Sequence, residues 1–150
     1  MSGFQDVFLD FQAFCKDRAQ GKKIVMIAHY AKFDTAMLES ELRRLRSSTN
    51  GSQGSLASSL SDVFDSSVDS LRLFRDGRMW KLSLEPRSLR RPDSFKLGSV
   101  YYHVFQETIQ HSHNAVGDIE ALDRLLMERS MFYGWQRLAS EIQRPFSKVK

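Results

Sequence analysis

Phe4, Val7, Phe8, Phe11 and Phe14 recur at spacings of three and four, which sets them on one stripe of a helix over residues 3 to 16. Gly21 closes that helix. Ile24 to Ala28 follows as a continuous apolar run, the pattern of a central parallel strand buried on both faces rather than an edge strand. A second helix is predicted from about Thr35 to Arg46. Leu38, Leu42 and Leu45 face inward on it, while Glu39, Glu41, Arg43, Arg44 and Arg46 face outward. Strand, polar turn and helix make half of a βαβ unit.

From Ser47 to Ser61 the chain reads SSTNGSQGSLASSLS, too poor in apolar side chains to offset the entropy of ordering it, so a surface loop is expected at about 47–61. Asp62 to Val68 is a candidate second strand, and Asp69 to Phe74 a short helix after it. At about 75–93 the residues Arg75, Arg78, Lys81, Arg87, Arg90 and Arg91 surround Trp80, and Pro86 and Pro92 interrupt regular structure. An irregular basic segment is the expectation there. Leu97, Val100, Val104 and Phe105 mark a further helix. A longer one is predicted from about Asp118 to Phe132, buried through Ile119, Leu122, Leu125 and Leu126, with Trp135, Leu138 and Ile142 adding a helical turn. There is no internal repeat.

That inventory has more amphipathic helices than its two convincing strands can cover, since a two-stranded sheet is marginal alone. Further sheet-forming sequence on the N-terminal side is therefore expected to partner the Phe stripe. With 150 residues and 41% apolar content, one domain with a sizeable core is the default. The longest apolar run is about five residues, well short of a membrane span, and the N-terminus lacks the layout of a signal peptide. A single cysteine, Cys15, agrees with a reducing compartment, nucleus or cytoplasm. The net charge of +4 leans toward a polyanionic partner.

Three residues are candidates for chemistry. Asp34 closes the strand–turn segment, where a carboxylate at the C-terminal edge of a sheet is well placed to hold a divalent cation. Asp118 follows His113 by five residues, a spacing that sets the imidazole on the approach to a helix and the carboxylate in its first turn. Two carboxylates and a histidine are parts for metal-assisted phosphodiester hydrolysis: Mg²⁺ prefers oxygen ligands, and a near-neutral histidine can take a proton from water. Plainer readings stand beside these. Asp34 before Thr35 makes a good N-cap, Asp118 a cap or an acidic first-turn residue, His113 a solvated turn residue, and His29 a hydrogen-bonded structural histidine. Around Trp80, the cations could track a phosphate backbone while the indole stacks on a base, or form a solvated charged loop.

Taken together, Ala28-His29-Tyr30-Ala31-Lys32-Phe33-Asp34 and His113-x-Ala115-x-Gly117-Asp118 resemble the second and third signature blocks of the DEDDh (DnaQ-like) 3′→5′ exonucleases, most nearly the TREX-like group. Tyr30 stands where the family usually has Asn. Between the blocks, Val68-Asp69-Ser70-Leu71 and Phe95-Lys96-Leu97-Gly98-Ser99-Val100 are similar to two further family stretches, so the likeness spans roughly residues 4 to 130. No Asp-x-Glu pair, the family's first block, occurs before residue 24.

The resemblance implies an α/β fold: a ribonuclease H-like mixed sheet flanked by helices, present here as a single partial domain over 1–150. It further implies two-metal hydrolysis at the 3′ ends of single-stranded DNA or RNA. Asp34 and Asp118 would bind Mg²⁺ or Mn²⁺, His113 would act as general base, and His29, Tyr30, Arg78, Trp80 and Lys81 would meet the nucleic acid. The rival expectation is an inactive exonuclease-like module that binds nucleic acid, a protein partner or a second copy through an apolar face.

Overall fold

The computed structural model describes residues 3–48, 59–82, 90–110 and 114–146. Among them the protein is mixed α/β, with seven helices and one three-stranded sheet. The chain divides into two compact units. The first comprises Met1–Ile27, Ala31–Ser67 and Arg144–Lys150; the second comprises Ala28–Tyr30 and Val68–Gln143. No helix of the described residues is long and apolar enough to cross a membrane.

In the first unit, α1 (Phe4–Ala19) ends where Gln20 and Gly21 turn into left-handed backbone, a conformation glycine adopts without steric cost. Its Phe8 is buried with Leu42 of α2 (Ala31–Ser48), Leu60 and Phe64, and Phe4, Ile24, Leu38 and Phe146 pack around them. The stripe is thus narrower than its periodicity suggests. Val7 and Phe14 are more than half exposed and Phe11 is at 40%, so only part of the expected face is covered. A short 3-10 turn (Leu60–Asp62) is closed by a capping box, Ser59 accepting from the Ser61 amide and Asp62 from the Ser59 amide. Most of the loop expected at 47–61 lies outside the described residues.

Three short strands, β1 (Val25–Ala28), β2 (Ser66–Asp69) and β3 (Arg144–Pro145), stand in the order β1-β2-β3. β2 and β3 are antiparallel, with Ser66 opposite Pro145 and Ser67 opposite Arg144. Asp65 is the fastener. Its amide donates to the Ile24 carbonyl (2.8 Å), its carboxylate accepts from the Ile24 amide (2.7 Å), and its carbonyl accepts from Phe146 (3.2 Å). The reading of Ile24–Ala28 as a central strand buried on both faces is corrected here. Among the described strands β1 ends the order, and Val25 is 40% exposed.

The second unit is helical: α3 (Ser70–Arg75), α4 (Gly77–Leu82), α5 (Leu97–Phe105), α6 (Ala115–Met127) and α7 (Arg129–Ile142). Leu73, Phe74, Met79, Trp80, Val100, Leu125, Met131 and Leu138 are buried in it. The basic segment after Arg75 is therefore not an irregular excursion throughout. Met79 and Trp80 anchor α4 in the core, and the expectation for 83–89 falls outside the described residues. The helix expected over Asp118–Phe132 is two helices, broken at Glu128, whose extended backbone (ψ 130°) caps both. Trp135 explains why the break holds: its indole N–H donates to the carbonyl of Leu126, at the end of α6. Ile119, expected inside, is 67% exposed.

Candidate functional site

The residues singled out by sequence are distributed over both units. Asp34 belongs to the first, in the opening turn of α2. It is not the N-cap weighed above, because the helix already begins at Ala31. Asp118 belongs to the second unit and sits half-buried in the first turn of α6. The cap there is Asn114, whose side chain accepts from the Val116 amide at 2.9 Å. Asp34 and Asp118 share one local placement, the fourth residue of a helix that opens on alanine. A carboxylate there interacts favourably with the positive end of the helix dipole. His113 lies outside the described residues.

Around the end of β1 the second unit holds a compact polar cluster. The Nε2–H of His29 donates to the Phe95 carbonyl at 2.9 Å, so in the neutral ring Nδ1 is an acceptor, and the Ser70 hydroxyl donates to it at 3.0 Å. Ser70 is fully buried, and the His29 ring lies 5.9 Å from that of Phe74, centroid to centroid. Burial is the main cause that lowers the His29 pKa below the ordinary value of 6.5. The Phe95 carbonyl and the charges of Asp69 and Asp118 act against that, while Arg75 reinforces it. The Asp118 carboxylate is thus within electrostatic reach of His29. The structural reading of this histidine accounts for both ring nitrogens.

Tyr30, next in the chain, has φ of +62°. For a bulky residue that is an uncommon conformation, costing roughly 1–2 kcal/mol. Asp69 holds it there: one carboxylate oxygen accepts from the Tyr30 amide at 2.9 Å and from the Leu71 amide at 3.0 Å, capping α3 with the same atom. Sequence reading placed a helix at Asp69 but not this second task, which links residues 39 apart. Asn adopts left-handed backbone more readily than Tyr. We expect Tyr30→Asn to raise the unfolding free energy by about 0.5–1 kcal/mol, read as a higher urea midpoint at unchanged slope.

The basic candidates fare differently. Trp80 is 3% exposed and its indole N–H donates to the Phe74 carbonyl at 2.8 Å, so the stacking role expected of it is corrected to a core role. Arg78 is committed to two carboxylates, Asp76 at 2.8 Å and Glu141 at 2.7 Å. Its guanidinium, hydrogen-bonded to Asp76, holds that carboxyl below its ordinary range. Lys81 is exposed. Sequence reading also passed over Arg124. It donates to the Tyr101 hydroxyl and to Glu107, and lies 4.0 Å from the Phe105 ring centre. Among the described residues no three His, Cys, Asp or Glu side chains form a group able to hold a metal ion.

No protein-family model matches the chain, and no curated protein matches it significantly.

Proposed function

We propose that this chain carries the second and third signature blocks of a DEDDh-type 3′→5′ exonuclease domain of ribonuclease H-like architecture. Its substrate class is the 3′ end of single-stranded DNA or RNA. The observation that carries this reading is the parallel placement of the two motif carboxylates: Asp34 and Asp118 each close a short block and each hang from the first turn of the helix that follows. The setting of His29 in the second block, tied to Ser70 and Phe95 of the two intervening family-like stretches, supports it as well.

Carboxylate oxygens are the hard donors that Mg²⁺ and Mn²⁺ take, and Asp34 and Asp118 are the residues this reading assigns to them. The described residues do not by themselves make a resident metal centre. Ions held by those carboxylates would supply Lewis-acid activation of water and stabilisation of the leaving oxygen. His113 is assigned the proton of the attacking water, the task of a general base with a near-neutral pKa.

The test is release of mononucleotides from 3′-labelled single strands of DNA and of RNA, with Mn²⁺ or Mg²⁺. We expect slow, metal-dependent product and a loss of roughly a hundredfold or more in Asp118→Ala, since a Lewis-acid centre contributes several kcal/mol. No product at high protein with either ion would overturn cleavage. A second reading would then remain, favoured by the exposed apolar side chains of α1: an intracellular, exonuclease-like binding module. Its partner would be nucleic acid, another protein or a second copy meeting the exposed Val7, Phe11 and Phe14.

A further inference from the structure

Tyr30 combines three properties seldom found together. Its backbone is in the left-handed region (φ +62°), its amide is clamped by a carboxylate from another element, and the residue is 54% exposed. The preceding residue is equally fixed, His29 being bonded through both ring nitrogens. Unfavourable backbone persists only where the surroundings over-determine it, and such residues gather at ligand sites. Here the constraint falls on an aromatic residue that stays more than half exposed, so it buries little apolar surface in the fold itself.

We propose that Tyr30 is a preorganised stacking platform for an unpaired nucleobase and that Asp69 is its positioning residue. The inference rests on the reading of single-stranded nucleic acid as substrate and adds to it the group that is gripped. Every base offers a π-face, so stacking on a single ring is tolerant of sequence. Fixing in advance the backbone that carries the ring removes part of the ordering cost of binding. Arg75, exposed in the same unit, supplies positive charge for a phosphate of the strand.

The experiment uses the full chain, without divalent ions so that nothing is cleaved, and a single strand ending in 3′ 2-aminopurine, whose emission is quenched on stacking. Saturable quenching is expected with the native chain and with Tyr30→Trp. Tyr30→Ala should bind about tenfold or more weakly and lose the quench. Asp69→Ala should lose the quench, while Asp69→Asn, which keeps the accepting oxygen, should restore it; circular dichroism identifies any variant that has failed to fold. Native binding with an unaltered quench in Tyr30→Ala overturns the platform and leaves the exonuclease reading intact. An unaltered quench in folded Asp69→Ala overturns the positioning role. No binding by the native chain, joined with no metal-dependent product, overturns both readings.

Discussion

Phe74→Ala is expected to lower the unfolding free energy by about 3–5 kcal/mol, the cost of removing a large side chain from a closed core. Phe74 is fully buried, its ring lies 5.9 Å from His29 and 6.5 Å from Trp80, and its carbonyl accepts the Trp80 indole N–H. Truncation therefore opens a cavity beneath the polar cluster and loosens the packing of Trp80 without deleting its acceptor. Urea unfolding followed by far-UV circular dichroism, which reports the helices of both units, reads the loss. Phe14→Ala is the contrasting case: truncating a residue 58% exposed on α1 should cost less than about 0.5 kcal/mol. Equal losses in the two variants would show that the two rings do not differ in burial.

His29→Ala should cost about 2–4 kcal/mol at neutral pH. The buried Ser70 hydroxyl loses its acceptor and the part-buried Phe95 carbonyl its donor, and an unsatisfied buried group costs about 1–3 kcal/mol. The native histidine also makes stability depend on pH. Burial lowers its pKa in the folded chain below 6.5, so on acidification the unfolded chain takes up the proton first. The contribution of the neutral ring is therefore complete above 6.5 and declines as pH falls through that value toward the lower folded pKa. Urea midpoints between pH 8 and pH 5, on the order of one titration range, should fall for the native chain and fall less for His29→Ala. A native curve flat over that range, or rising toward acid, would remove the neutral, doubly bonded imidazole from the account.

Local pattern carried much of the fold. The helix at α1, the strand at β1 and the helices at α2, α3, α5 and α6 follow from apolar spacing, and Asp69 announced the start of α3 as a short polar residue before an apolar turn. What the pattern could not carry depends on partners remote in sequence. Asp34 reads as a cap because nothing local says that a tyrosine four residues earlier will turn left-handed; the carboxylate that makes it do so is 39 positions away. Trp80 reads as a nucleic-acid contact because its neighbours are charged, yet Met79 beside it is equally buried and Arg78 faces Glu141, 63 positions on. Glu128 is a good helix former, so the break between α6 and α7 is invisible until the Trp135 indole takes the Leu126 carbonyl. Of the candidate site, residue types and order were legible; the clamp on Tyr30 and the tautomer of His29 were not.

The partition of the chain into two units has an optical consequence. Both tryptophans and all four tyrosines lie within Ala28–Tyr30 and Val68–Gln143, whereas the core around Phe8, Leu42, Leu60 and Phe64 has only phenylalanine for a chromophore. Intrinsic tryptophan and tyrosine emission is therefore a private signal of one half of the molecule. Engineering a tryptophan at Phe64 would give the silent half a voice of its own.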